Sequence, residues 1–422
     1  MAMAPTTRLF MVVVAICIGL LTPKNTLIAQ QSTPTPAVID SKRPHPLRFI
    51  DTSFENASPV WYEIGDDGVV SIHLVYDHER DAPNRAAGHL HIRVESQPNE
   101  PLILEFRHLD NIYNGRPGSV AKEMGSLSIS EDGKHWKTMK TQIFPNHVRL
   151  EMTPTTSAFY IARVEPFRLS DLASLLDRVR RVAHAEVLTI GKTVDQRDIP
   201  MIRIGNPNAP KQVFVRARAH PWEAGGNWVV TGLLERLMQD DETSRLYRET
   251  YCCWILPMGN LDGVARGRTR FNMLGKDLNR NWDQPADPQF SPENAALERW
   301  LEARIQSGKR IDFALEVHND GNGKLHHNAP IDQPDRYARR IRYFESLLRK
   351  HTWFTEGSTQ VMHGTGTLAN GWQTRYGIDG AVHEFNCQWA EGLGVAPLGS
   401  HWQQYGAGLA AVFHEYFQNR PE

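Results

Sequence analysis

Apolar and polar residues alternate in short runs along the first part of the chain and recur at helical spacing along the rest. Val69–Tyr76 (VVSIHLVY) and His89–Val94 (HLHIRV) carry apolar side chains at about every second position. That is the period of a strand with one buried face. Leu102–Phe106, Val148–Met152 and Phe159–Val164 are further short runs of this kind. Turn-forming clusters separate them, at Gly65–Gly68 (GDDG), Asn114–Gly118 (NGRPG) and Glu131–Lys134 (EDGK). Many short strands with no helical stretch between them predict an all-β sandwich domain over residues 47–166.

At Ser170 the period changes. Ser170–His184 places Leu172, Leu175, Leu176 and Val179 on one helical face, with Ser170 as the expected cap. Strands are then expected from Val213 and over Tyr251–Met258, Ile311–Val317 and Gly380–Phe385. Helices are expected over Gly226–Met238, Pro292–Ile305, Pro334–His351 and Trp402–Phe417, with Pro292 in a first turn. This alternation predicts an α/β domain with a largely parallel or mixed sheet over residues 167–422. Such sheets bind ligands beyond the carboxyl ends of their strands.

Composition adds limits. Hydrophobic residues make up 41% and charged residues 23%, a balance that supports a real core in each of two domains. The formal net charge of −1 gives no basic excess, so nucleic acid is not an expected partner. Arg8 followed by the apolar run Leu9–Leu21 reads as an export signal over residues 1–29. The run is too short for a comfortable membrane span. Residues 30–46 read as a polar, Pro-rich linker. The body is therefore expected in the periplasm or outside the cell, and anchored to the membrane only if the signal stays uncleaved. Outside the signal only Cys252, Cys253 and Cys387 remain, which is no disulfide scaffold, although one bridge to Cys387 is open.

Candidate chemistry clusters just past the expected strands. His220 and Glu223 in RARAHPWEAGG follow one strand, and His318 in DFALEVHNDGNG ends another. Two imidazoles and a carboxylate form the donor set of a catalytic zinc site, which needs three protein ligands and an open position. Glu316 is a carboxylate without an assigned role. The loop from Asn260 to Asn281 is dense in arginine, with Arg266, Arg268, Arg270 and Arg280. Arginines beside strand ends offer forks for a carboxylate or a developing oxyanion. Glu384 in YGIDGAVHEFN either serves as a general base or pairs with one of these arginines.

These motifs, in this order, resemble the carboxypeptidase A-like zinc metallocarboxypeptidases, or funnelins. They look closest to the cytosolic-carboxypeptidase subgroup, which carries an N-terminal β-sandwich. The match covers roughly Phe167–Tyr416. The resemblance implies a mixed-sheet α/β zinc carboxypeptidase domain behind the sandwich, with one Zn2+ per chain. It implies His220, Glu223 and His318 as metal ligands, Glu384 as general base and Arg270 as oxyanion stabiliser. It implies that Asn279 and Arg280, within DLNRNWD, hold the substrate's terminal carboxylate. Asn260–Gly263 (NLDG) is similar to a turn of the family. The implied activity is zinc-dependent hydrolysis of the C-terminal peptide bond of peptides or proteins by activated water. The side-chain pocket is expected partly from Gly364–Tyr376, with Leu368 and Trp372 suited to apolar residues and Arg375 to acidic ones.

The sequence departs from the family in two respects. Many members place a tyrosine over the substrate, and the stretch STQVMHGTGTLANGWQTRYG has none at the expected place, leaving His363 or Tyr376 as substitutes. The subgroup is named for the cytosol, whereas this chain begins with an export signal. Two alternatives stay open: a zinc amidohydrolase acting on cell-wall peptides or acyl-amino acids, and a non-catalytic binding module.

Overall fold

The alternating runs of the first part pair into two five-stranded sheets and a short ribbon. The computed structural model describes residues 44–78, 84–113, 115–329, 334–361 and 366–422. The expected signal segment, most of the linker and His363 lie outside the described residues. In chain order the strands are β1 (Leu47–Asp51), β2 (Val60–Ile64), β3 (Val70–Leu74), β4 (His91–Ser96), β5 (Leu102–Arg107), β6 (Asp110–Tyr113), β7 (Arg116–Ser119), β8 (Ser126–Ser130), β9 (Lys137–Lys140), β10 (Gln142–Ile143), β11 (Val148–Met152) and β12 (Ala158–Ala162). One sheet runs β1-β4-β12-β8-β9 and the other β10-β11-β5-β3-β2, while β6 and β7 pair apart from both. Ile72, Ile92, Val94, Leu104, Phe106 and Ile161 interdigitate in the core shared by these strands. Arg93 and Glu95 point outward in alternation with the buried Ile92, Val94 and Ser96, as the period-two pattern requires.

The second part contains α1 (Leu169–Arg180), β13 (Ala185–Lys192), β14 (Asp198–Ile204), β15 (Lys211–Ala217), α2 (Gly225–Met238), α3 (Glu242–Thr250), β16 (Tyr251–Leu256), α4 (Leu261–Ala265), α5 (Pro292–Gln306), β17 (Phe313–Asp320), β18 (Leu325–Asn328), α6 (Pro334–His351), β19 (Ser358–Val361), α7 (Leu368–Tyr376), β20 (Gly380–Asn386) and α8 (Gly399–Asn419). Its sheet of eight strands runs β13-β14-β16-β15-β17-β20-β18-β19. The four central strands, β16, β15, β17 and β20, are mutually parallel, and the flanking strands make the sheet mixed. Their carboxyl ends therefore open on one edge, where loops from all four can meet.

The helices follow the apolar spacing, with one difference in capping. Ser170 does not cap α1. Arg168 is the cap residue, and its backbone N–H donates to Asp171 at 2.8 Å. Asp171, the third residue of the helix, thus serves the N–H of the residue before it, whereas Ser170 was expected to accept from N–H groups inside the first turn. Pro292 does open α5, as expected. Helices α2 and α8 approach very closely, and a Cβ on Gly232 would lie 1.9 Å from the carbonyl oxygen of Gln403. Only glycine fits at that crossing.

The hairpin β13–β14 was not expected. Gln196 turns it in the left-handed conformation, at φ 64°, where a glycine would have signalled a turn, and Pro200 interrupts the second strand's pattern. Cys252, Cys253 and Cys387 are buried free thiols, so no bridge reaches Cys387.

Candidate active site

His220 and Glu223 sit on the turn between β15 and α2. Arg218 enters it in the left-handed region, at φ 59°, although its side chain is almost wholly buried. Its guanidinium holds the turn from inside, donating to the carbonyl of Pro221 at 2.6 Å and to Asn227 Oδ1 at 2.7 Å. Backbone strain of this kind persists where surrounding bonds over-determine it. The turn then enters α2 through Gly225, where a Cβ would fall 2.5 Å from the Asn319 side chain on β17. The glycine lets the helix start close to the strand that carries His318.

His318 lies near the carboxyl end of β17, beside Glu384 on β20 in parallel register. His220 Nδ1 is 2.9 Å from Glu223 Oε1, and His318 Nδ1 is 2.6 Å from Glu223 Oε2. The two Nδ1 atoms are 3.2 Å apart. Tetrahedral zinc with bonds of about 2.0–2.1 Å sets neighbouring nitrogens roughly 3.3 Å apart. Each far ring nitrogen meets a carboxylate: His220 Nε2 lies 3.0 Å from Asp277, and His318 Nε2 lies 3.1 Å from Glu316. Protons held there leave both Nδ1 lone pairs facing Glu223.

The electrostatics match this geometry. Burial opposes a charge on Glu223, yet His220 and His318 hold its carboxyl well below the usual range. Burial also opposes a charge on His318, but Glu223 and Glu316 outweigh it and raise its pKa well above that of a free imidazole. Three converging ligand atoms around a point that favours positive charge fit a dication. Among the described residues they form the one group of histidines and carboxylates close enough to hold a metal.

Glu316, which had no assigned role, thus orients His318, and its Oε1 also accepts from Arg216 Nε at 2.8 Å. Asp277 was overlooked within DLNRNWD. It bridges His220 to Arg270, whose Nε donates at 2.8 Å and whose Nη2 lies at 2.7 Å. Burial raises the cost of a charge on Asp277, but Arg270 and His220 keep it ionised well below the usual range. A carboxylate seven residues after Arg270 in the same loop was a readable signal. Its pairing with His220, 57 positions upstream, was not.

Glu384 faces the same cleft. Burial pushes its carboxyl well above the usual range, and Asp320 adds repulsion. Its Oε2 has no hydrogen-bond partner, so the alternative of a structural pair with an arginine does not hold for that oxygen. Asn279 is buried, with Oδ1 accepting from Leu368 N–H at 2.9 Å and Nδ2 3.0 Å from His318 Nε2. Arg280 reaches the cleft, with Nη1 on the carbonyl of Asn279 at 2.8 Å and Nη2 on Tyr113 Oη at 3.2 Å.

Of the stretch expected to supply part of the side-chain pocket, Thr367 lines the cleft, residues 364 and 365 lie outside the described residues, and the side chains singled out point elsewhere. Leu368 and Trp372 are wholly buried, Trp372 packing against Phe214 and Trp282. Arg375 pairs with Glu298 and donates to the carbonyl of Gln284 at 2.9 Å. Tyr376 donates to Glu302 at 3.0 Å and is not among the residues that line the cleft. Helix α7 presents these side chains to the core, a direction that the residue types alone did not reveal. Asn260 caps α4, and Asp262 holds the β13–β14 turn through Thr193 and the backbone of Asp195, so NLDG is structural.

The first part of the chain builds one wall of the cleft, which encloses about 810 Å³. Asp77, after β3, accepts backbone N–H bonds from Thr269, Arg270 and Phe271 at 2.9, 2.5 and 3.0 Å. Thr269 Oγ1 in turn accepts from the backbone N–H groups of Gly88 and His89, each at 3.2 Å. Trp222, inside HPWE, packs into the sandwich core, donates to Glu223 at 3.2 Å and lies under the Arg163 guanidinium. The braces from Asp77, Thr269 and Arg163 were not legible in the sequence, because their partners are far apart in the chain.

Residues 174–322 match the family model described as zinc carboxypeptidase. Human cytosolic carboxypeptidase 1 is 45% identical over 80 residues, 19% of this chain and 6% of that protein. Bovine cytosolic carboxypeptidase 3 is 24% identical over 249 residues, 56% of this chain and 25% of its own. An uncharacterized protein of Zymomonas mobilis is 28% identical over 193 residues, 46% of this chain and 49% of its own. The chain thus spans about half or less of the curated relatives it matches. A metallo-carboxypeptidase from Burkholderia cenocepacia shares the fold, with a TM-score of 0.76 at 21% identity, covering 88% of this chain and 99% of that one. These matches identify a domain of the zinc carboxypeptidase family in this chain, homologous to the cytosolic carboxypeptidases.

Proposed function

We propose that the protein is a zinc-dependent carboxypeptidase that removes the last residue of a peptide or protein. The observation that carries this reading is the convergence of the His220–Glu223–His318 ligand atoms, Glu384, Arg270 and Arg280 on one cleft. A zinc ion held by the three ligands would supply Lewis acidity, easing deprotonation of water and polarising the scissile carbonyl.

The chain's own groups account for the rest. Glu384, made more basic by burial, takes the proton of the attacking water and returns it to the leaving amine. Asp277 occupies Nε and Nη2 of Arg270, which leaves Nη1 for the oxyanion that develops on the carbonyl. Arg280 seats the terminal carboxylate, and Asn279, whose carbonyl Arg280 holds, is itself fixed by the N–H of Leu368. The seat selects a chain end over an internal bond.

Digestion of an N-acetylated peptide library by the zinc-loaded protein, read by mass spectrometry, tests the proposal. Products shortened by one C-terminal residue are expected. A spread of internal fragments would overturn it, and release of acyl groups from acyl-amino acids alone would favour the amidohydrolase alternative.

We further propose that the protein is exported, on the strength of the Leu9–Leu21 run. N-terminal sequencing of material from the native host tests this. A mature start near residue 30 supports export, and an intact start in a soluble cytoplasmic fraction contradicts it.

A further inference from the structure

The cleft wall supplied by the first part of the chain carries one side chain aimed at the residues of the proposed reaction. Tyr113 ends strand β6 of the two-stranded ribbon. The ribbon is tied back by paired backbone bonds between Ile112 and Arg85, both at 2.9 Å. The Tyr113 ring is about half exposed and lines the cleft. Its Oη accepts from Arg280 Nη2 at 3.2 Å, across 167 positions of sequence.

An oxygen that accepts from a guanidinium turns its own proton away from that cation. Among the described residues the Tyr113 hydroxyl proton is given to no acceptor. A carboxylate seated on Arg280 would come within reach of this proton, since both donors border the same space. A phenol O–H and a guanidinium N–H on one carboxylate form charge-assisted bonds from two directions, fixing its orientation as well as its charge.

We propose that Tyr113 is a substrate-binding residue that donates its hydroxyl proton to the substrate's terminal carboxylate beside Arg280. The seat is then built jointly by the sandwich ribbon and the α/β sheet. This inference rests on the reading of Arg280 as the carboxylate seat.

The test compares kcat and KM of the zinc-loaded full chain with Tyr113→Phe, Arg280→Ala and the double variant. The substrate is the member of an N-acetylated dipeptide panel, with free carboxylates, that is turned over fastest. Tyr113→Phe keeps the ring and is expected to raise KM on the order of tenfold with kcat little changed. It is also expected to lower kcat/KM in the Arg280→Ala background, because the hydroxyl touches the substrate itself. Unchanged KM in Tyr113→Phe, with KM raised in Arg280→Ala, overturns the role of Tyr113 and leaves the seat standing. An effect of Tyr113→Phe that vanishes in the Arg280→Ala background overturns direct contact. Unchanged KM in Arg280→Ala removes the seat, and the inference with it.

Discussion

Asp277 joins His220 to Arg270: one of its oxygens lies 3.0 Å from His220 Nε2, and the other 2.7 Å from Arg270 Nη2. A single buried carboxylate thus orients a proposed metal ligand and the proposed oxyanion donor together. Asp277→Asn keeps the shape and removes the charge. We expect zinc affinity to fall about 10- to 100-fold, as it does when such a partner is lost from a ligating histidine. Competition with a chelator of known affinity measures this, and unchanged affinity would mean that Asp277 serves Arg270 alone.

Glu384→Gln separates proton transfer from metal binding. The side chain borders the cleft but is not part of the ligand cluster. Turnover should be abolished while the zinc content of the purified variant stays at one per chain. Near-normal activity would show that another group takes the proton.

Asp77→Asn tests whether the sandwich positions the active site. It replaces an acceptor of three consecutive backbone bonds around Arg270 with a group that is half donor. A displaced oxyanion donor should lower kcat by about tenfold or more. KM for a free-carboxylate peptide and zinc content should hold, because neither Arg280 nor the ligands are touched. A loss of zinc with the loss of kcat would point instead to general loosening of the site.

The difference between what the sequence disclosed and what it hid is physical. Helix α6 over Pro334–His351 was legible to the residue, since its amphipathic period is unbroken. His220, Glu223, His318 and Glu384 could be placed around one cleft because strand ends bracket them, whereas Arg270 and Arg280 were singled out by the resemblance of their motif alone. Asp77 and Tyr113 were not, because each acts on a loop more than 160 positions away and neither lies in a local pattern. Trp372 and Arg375 misled because an aromatic and a cation suit a pocket and a core interface equally well. Only the orientation of α7 against Phe214 and Glu298 decides between them.

The seam between the sandwich and the α/β part should make the protein sensitive to acid. His89 and His91 are buried there, and burial lowers the pKa of His89 from 6.5 to about 4 and that of His91 well below the usual value. The folded state then binds fewer protons than the unfolded state between those limits, so stability rises with pH there. His89 contributes fully above about pH 6.5 and loses its contribution as pH falls toward 4, about 3 kcal/mol in all. Thermal melting across this range should show a steeper fall for the wild type than for His89→Gln. Parallel curves would mean that His89 is already charged in the fold.

The account turns on a seat for a free chain end beside a zinc site. The measurement that bears on it most directly is kcat/KM for one peptide with its C terminus free and with it amidated, each with and without zinc removed by a chelator. The account predicts fast loss of one residue from the free peptide, at least about 100-fold slower cleavage of the amidated one, and no cleavage of either without zinc. Equal cleavage of the two peptides, or cleavage that survives removal of zinc, would contradict it.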